Sequence, residues 1–340
     1  PQRTQWTQRT QRTDNRQTLM LTVLLQRNGI VEQVDAVDPA WGSPGATEVL
    51  WADIEAPGDA DRRLLLDVFK IHELPVEDAL SEIHFPKIET YDALLYLSLH
   101  GIVPCGDASG FETQDVDFFV GLNFLVTVHN EPSRSIEAER TVCLRHMDLF
   151  SDGAIGLCHR IVDRLVDHYS PEVDKLEDRL EAMEQIVFDP TAGSPLKELL
   201  ALKRDVASLR RVALPERDAV GRLARREFPQ ISEGIGYRFR DVYDHLVRLT
   251  DEAVFLQDRV TGLLDAYLSN QSNRLNQVMK VLTVIATIFM PLTVLTSMYG
   301  MNVPLPDFPG GPAAQFWWLC GLMLGTSAVM LWGFRRMRWI

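Results

Sequence analysis

A stretch near the carboxyl end of the chain, with Lys280 as its one charged residue, carries side chains that could meet a hydrated cation. Its amide, hydroxyl, thioether and small side chains recur at alternating steps of three and four, which places them on one face of a helix. The residues of this polar stripe are Asn276, Met279, Thr283, Ala286, Met290, Thr293 and Ser297. In lipid, such a stripe marks either a helix–helix interface or the wall of a water-filled pore. The sequence that follows, YGMNVPLP from Tyr299 onward, adds a further amide and favours the pore.

The sequence carries no recognisable catalytic motif. His72-Glu73 lacks the second histidine of a zinc-protease motif, and neither a glycine-rich phosphate loop nor a nucleophile motif is present. The four cysteines show no CxxC spacing, so they indicate neither a zinc site nor a disulfide scaffold. We therefore expect a protein that is not an enzyme, with its soluble part in a reducing, cytoplasmic setting.

The charge balance is acidic. With 34 basic and 47 acidic side chains, the formal net charge is −13. A nucleic-acid-binding surface needs a dominant basic patch, so nucleic acid is excluded as a partner. The most acidic run, EVDKLEDRLEAMEQIVFD at 172–189, is typical of a solvated helix face.

Two runs of nineteen residues, 281–299 and 316–334, contain no charged side chain. Each is long enough to cross a hydrocarbon core of about 30 Å, so we expect two transmembrane helices in a lipid membrane. The loop at 300–315 has no basic residue, whereas basic residues precede the first span and follow the second: Arg274, Lys280, Arg335, Arg336 and Arg338. Because basic residues stay on the cytoplasmic side, both termini are expected in the cytoplasm of a protein that crosses the cell's inner membrane twice.

The elements that must position these groups follow from the hydrophobic period. Short β-rich runs at 19–26, 29–37, 48–54, 86–103, 115–122 and 123–130 predict strands, with a helical pattern at 58–71. Gly121-Leu122-Asn123 is a hairpin signal, and Ser170-Pro171 marks a helix restart or kink. Farther along, eight apolar residues from Val242 to Tyr267 alternate steps of four and three. This seam predicts a long helix that packs against copies of itself or against its neighbours.

These patterns divide the chain into seven segments. They are a leader or disordered tail at 1–19, a cytoplasmic α/β domain at 20–133, a charged helical hairpin region at 134–236, a long stalk helix at 237–299 that continues into the first span, an external loop at 300–315, the second span at 316–334 and a basic cytoplasmic tail at 335–340.

The tripeptide Gly300-Met301-Asn302 at the end of the first span resembles the signature of the CorA family of divalent-cation transporters. The stretches NQVMKVLTVIATIFMPLT (276–293) and YRFRDVYDHLVRLTD (237–251) are also similar to that family. The resemblance implies a funnel-shaped homopentamer in which an α/β cytoplasmic domain is followed by long helices and two transmembrane helices. Members of the family take up Mg²⁺, and some also pass Co²⁺ or Ni²⁺.

The same resemblance implies roles for individual residues. Gly300, Met301 and Asn302 would form the selectivity filter, and Mg²⁺ would be both the transported and the regulatory ion. The conduction path would be lined, going inward, by Thr293, Met290, Leu282, Met279 and Asn276. Asp78 and Asp265 would form an intracellular regulatory metal site, with Glu77 and Asp241 at a second one.

Three functions remain open at this point. The leading hypothesis is a gated, passive channel for Mg²⁺ uptake that intracellular Mg²⁺ closes. A zinc, cobalt or nickel transporter on the same scaffold is the alternative within that class. A membrane-anchored coiled-coil sensor that conducts nothing is the third, but a mere anchor has no use for the polar stripe.

Overall fold

The computed structural model describes residues 20–34, 37–38, 48–81, 85–104, 110–189, 193–301 and 311–339. The predicted leader at 1–19 lies outside the described residues, and so do Asn302 and Cys105. The residues described up to Gly262 belong to one compact unit, and those from Leu263 onward belong to a second.

The first unit is built on a seven-stranded mixed sheet. Its strands are β1 (Met20–Arg27), β2 (Ile30–Val34), β3 (Val49–Glu55), β4 (Lys87–Tyr91), β5 (Leu94–Pro104), β6 (Phe111–Val120) and β7 (Phe124–His129). They lie in the order β2-β1-β3-β7-β6-β5-β4, with β3 parallel to β7 and all other neighbours antiparallel. Each predicted β-rich run overlaps at least one strand. The predicted hairpin is confirmed, because Gly121 N–H donates to the Phe124 carbonyl at 2.9 Å between β6 and β7.

Helices cover both faces of this sheet. After α1 (Asp59–Arg63), the π-helical turn Leu64–Val68 and α2 (Glu73–Leu80) pack on one face against apolar side chains such as Leu50 and Val126. On the other face, Trp51 and Phe118 join a larger core made by the long helices of the chain. The alternation of strand side chains divides these two cores, as a sheet buried on both faces requires.

The remaining helices are α3 (Arg134–Cys143), α4 (Gly153–Asp167), α5 (Ser170–Phe188), α6 (Leu196–Ala224), α7 (Glu233–Tyr299) and α8 (Pro312–Arg336). The predicted restart at Ser170 is where α5 begins, with Pro171 in its first turn, where a proline removes no helical hydrogen bond. The predicted seam on α7 is buried within the protomer, from Val242 through Val260. Hydrogen bonds from Arg259 to Glu184 on α5 and from Arg210 on α6 to Gln257 show which helices cover it. Neighbouring helices therefore bury this part of the seam.

The second unit contains the apolar carboxyl-terminal part of α7 and the whole of α8. Both helices are long and apolar enough to span a membrane, and their apolar windows are not buried.

Candidate functional site

The polar stripe lies on the exposed side of α7. All seven of its residues are exposed, and so is Leu282. Positions on the other side of the same helix are half-buried: Val284, Ile288, Pro291, Leu292, Leu295 and Tyr299. At about 100° per residue, the centres of these two sets lie about half a turn apart around the helix axis.

A second helix also has a half-buried side. On α8, half-buried positions also recur at steps of three and four, from Leu319 and Cys320 through Met323 to Gly333 and Phe334. These two helices are the elements that the second unit contains among the described residues. Each of them has one half-buried face. The polar stripe lies on the side of α7 opposite its half-buried face.

The threonines of the stripe present oxygen acceptors outward. Thr283 Oγ1 donates its proton to the Met279 carbonyl at 2.7 Å, and Thr293 Oγ1 donates to the Phe289 carbonyl at 2.9 Å. A hydroxyl has one proton and two lone pairs, so each oxygen keeps acceptor capacity after this bond. The water shell of a cation offers hydrogens to such acceptors. Between the two threonines, Met290 is 73% exposed and adds an apolar side chain to the stripe.

The carboxyl end of α7 closes in a tight turn. Gly300 N–H donates to the Thr296 carbonyl at 3.0 Å, and a Cβ at Gly300 would lie 3.3 Å from that same oxygen. A side chain at this position would crowd the last helical turn. Met301 follows and is exposed, while Asn302 lies outside the described residues. The predicted filter therefore stays a prediction.

Asp78 lies on α2, a helix capped by His72, whose Nδ1 accepts from Leu74 N–H at 3.2 Å. Its carboxylate is contacted by the ammonium of Lys87, the first residue of β4. Glu77, the preceding residue, is exposed. Asp265, its predicted partner in the regulatory site, is exposed on α7 in the second unit.

Asp241 lies among other acids that sequence reasoning missed. Burial raises the pKa of Asp163 on α4, and the nearby carboxylates of Asp167 and Asp241 raise it further. His159 and His245 lower this pKa, but their effect is smaller than the sum of the others. The signal was present in the sequence, because steps of four put His159, Asp163 and Asp167 on one face of α4.

The sheet separates the two acids predicted for the second metal site within one protomer. Glu77 is on α2, which packs on one face, whereas α4 and α7 pack on the other. Glu77 and Asp241 can therefore share an ion only if they come from different subunits. Among the described residues, no three histidine, cysteine or carboxylate side chains of one protomer converge to hold a metal ion.

A buried glutamate, Glu216 on α6, was also missed. Its Oε1 accepts from His100 N–H at 2.6 Å, and Tyr169 Oη donates to the His100 carbonyl at 2.8 Å. The ladder between β4 and β5 ends at the pair Lys87–Ser98, so these two side chains satisfy backbone groups of β5 beyond the end of β4. Burial raises the pKa of Glu216 to about 7. Its place in the apolar spacing, four residues from both Val212 and Val220, is the sequence signal for a core position.

Comparison with known proteins identifies the chain. A family model described as CorA-like Mg²⁺ transporter protein matches residues 46–336. The cobalt/magnesium transport protein CorA of Thermotoga maritima is 30% identical over 279 residues, which cover 81% of this chain and 78% of that protein. The complete CorA magnesium transporter of Methanocaldococcus jannaschii matches with a TM-score of 0.80 at 22% identity, over 95% of this chain and 99% of that one. Full-length CmaX matches with a TM-score of 0.76 at 22% identity, over 96% and 100%.

A sheet-containing soluble region, a long helix and two apolar carboxyl-terminal helices define a membrane protein with the fold of these two solved structures. The predicted fold class is confirmed. The chain belongs to the family of CorA-like Mg²⁺ transporter proteins, and it is a divalent-cation transporter of that family. Membership agrees with the expectation that the protein is not an enzyme.

Proposed function

We propose that this protein is a gated, passive channel for Mg²⁺ uptake, in which each subunit contributes its polar stripe to a central pore. The observation that carries the proposal is the position of the stripe, exposed on α7 and turned away from the half-buried side of that helix. The name of the family and the cobalt/magnesium relative of Thermotoga maritima support Mg²⁺ as the ion.

The bilayer disfavours the other arrangement, in which the stripe faces lipid. Polar side chains in a transmembrane segment are rare on lipid-facing surfaces and lie toward a bundle interior or a water-filled cavity. Since the opposite side of α7 is the half-buried one, we propose that the stripe meets other copies of the chain. A closed ring of identical subunits turns the same face of each α7 toward one axis, which is how a stripe becomes a pore wall. We propose a homopentamer, the assembly that the family resemblance implies.

The outer end of the pore is proposed as the selectivity filter, formed by Gly300, Met301 and Asn302. Mg²⁺ gives up its water reluctantly, so a ring of neutral amide oxygens that binds the hydrated ion avoids the cost of dehydration. Met290 and Leu282 are proposed as apolar gate rings, which close a pore by dewetting when the helices approach one another.

Asp78 and Asp265 from neighbouring subunits are proposed as an Mg²⁺ sensor that favours the closed pore. Two carboxylates repel each other unless a cation lies between them, so metal binding favours the arrangement that brings them together. A second sensor site would combine Glu77 of one subunit with Asp241 of the next. The ion-free state would allow the subunits to separate and the gate to open.

The topology proposed for the chain places both termini in the cytoplasm and both spans in the inner membrane. The basic residues that flank the two spans, and the absence of any from the loop 300–315, support this orientation.

Cysteine labelling tests the pore. In a cysteine-free background, Met290→Cys and Thr293→Cys are expected to bind a membrane-impermeant thiol reagent and to lose Mg²⁺ influx when labelled. Leu292→Cys is the matched control, because Leu292 is on the half-buried side at the same depth. Equal block at all three positions, or block at Leu292 alone, would contradict the proposed pore wall.

A further inference from the structure

A positively charged side chain of the protein itself, that of Lys87, lies beside Asp78. The ammonium of Lys87 contacts Asp78 Oδ2, and the two residues are on different elements, α2 and β4. Both side chains are about one-third exposed, so ions from solution can reach the pair.

Lys87 has other attractive contacts besides Asp78. Its Nζ lies 3.7 Å from Glu89 Oε2 and 5.4 Å from the centre of the Tyr96 ring. The Tyr96 ring is itself fixed, because it is fully buried and its hydroxyl donates to Asp117 at 2.7 Å. An ammonium over an aromatic face is stabilised by the ring quadrupole. Lys87 can therefore release Asp78 while keeping a carboxylate and an aromatic ring as partners.

From this geometry we propose that Lys87 is a tethered competitor for the metal at Asp78. The inference rests on the proposed function, in which Asp78 is part of the Mg²⁺ sensor. Without a divalent ion, the lysine neutralises Asp78; when Mg²⁺ binds, the lysine moves toward Glu89 and Tyr96. Lys87 thus sets the Mg²⁺ concentration at which the sensor fills.

Charge explains why the exchange favours a divalent ion. Mg²⁺ brings two charges to Asp78 and to the second carboxylate of the sensor, whereas K⁺ brings no more charge than the ammonium already there. A tethered lysine also has a high local concentration, so a monovalent ion has little advantage over it. The competitor therefore restricts the sensor to divalent cations.

The size of the effect follows from the exposure of the ion pair. Partly exposed pairs of this kind contribute about 0.2–1 kcal/mol, which corresponds to a change in apparent affinity of up to about fivefold. Removing the lysine should lower the Mg²⁺ midpoint of the sensor by about 1.4- to fivefold.

The test is Mg²⁺-dependent protease protection of the full-length, detergent-solubilised protein. Lys87→Met removes the charge and keeps an apolar stem beside Tyr96, and Lys87→Gln is a second neutral variant in case the first folds poorly. Both are expected to reach half-protection at about 1.4- to fivefold lower Mg²⁺, since no ammonium competes. Lys87→Arg keeps the charge and is expected to stay near the wild-type midpoint.

A double-mutant cycle links the effect to Asp78. In an Asp78→Ala background the sensor lacks one of its carboxylates, so Mg²⁺-dependent protection should be lost whether residue 87 is lysine or methionine. If Mg²⁺ protects the wild type and both neutral variants have the same Mg²⁺ midpoint as the wild type, the competitor role alone is overturned. No Mg²⁺-dependent protection in the wild type would overturn the sensor and the competitor role together.

Discussion

Replacing Glu216 by glutamine tests how the soluble region responds to pH. The carboxyl group of Glu216 is buried, and its Oε1 accepts from the backbone N–H of His100. Glutamine keeps the acceptor for His100 N–H and has the shape of the protonated acid, but it carries no charge at any pH.

The size of the expected change in stability with pH follows from the pKa of the Glu216 carboxyl group. Burial raises the pKa of Glu216 from an ordinary value of 4.5 to about 7, although the His100 backbone bond and the Tyr169 hydroxyl oppose the rise. The folded state therefore holds this proton more tightly than the unfolded state does. Stability falls as pH rises from about 4.5 to about 7, and the loss at higher pH is on the order of 3 kcal/mol.

Thermal unfolding of the detergent-solubilised protein at about pH 5.5 and about pH 8 measures this loss. From the lower to the higher pH, the free energy of unfolding of Glu216→Gln is expected to rise by about 2 kcal/mol relative to that of the wild type. Only the wild type has to ionise a buried carboxyl group. Asp218→Asn, on the same helix and exposed, is the control and should shift stability by less than about 1 kcal/mol at either pH. Identical pH dependence in the wild type and in Glu216→Gln would refute the reasoning.

Three further predictions concern transport and regulation. Asn302→Ala should abolish Mg²⁺ influx without changing the oligomer size, because the ring of amide acceptors is lost; a normal influx would contradict the filter. The double variant Asp78→Ala/Asp265→Ala should lose Mg²⁺-dependent protease protection; protection equal to the wild type would remove both residues from the sensor. Neutralising Asp178 and Glu181, both exposed on α5, should lower influx mildly at low ionic strength and not at high salt, since salt screens a surface field over about 8–10 Å; a changed ion preference would contradict a solvated helix face.

The strands and the membrane spans could be predicted because each depends on a pattern of residues that are close together in the sequence. The β-rich runs alternate or are continuously apolar, and the turn at Gly121 follows from its residue types. The two uncharged runs match the thickness of a bilayer. The sheet order could not be predicted in the same way, because the parallel pair β3 and β7 joins residues about seventy positions apart, and local spacing does not encode that register.

The site residues also divide into those that local sequence predicts and those that depend on packing between distant elements. The stripe on α7 could be predicted, since its residues share one helix and one period. The contact between Lys87 and Asp78 depends on how α2 packs against β4, and the acids around Asp241 depend on how α4 packs beside α7. The seam on α7 predicted burial but not the partner, because an apolar period does not distinguish a second copy from a neighbouring helix.

Mg²⁺ influx into proteoliposomes that contain the purified protein, measured with Co²⁺ and Zn²⁺ as competitors, tests the central claim most directly. A gated Mg²⁺ channel predicts that Mg²⁺ enters down its gradient, that influx stops in Asn302→Ala, and that Zn²⁺ is not the preferred ion. Zn²⁺ influx without Mg²⁺ influx, or no influx of any divalent cation through correctly assembled protein, would contradict it.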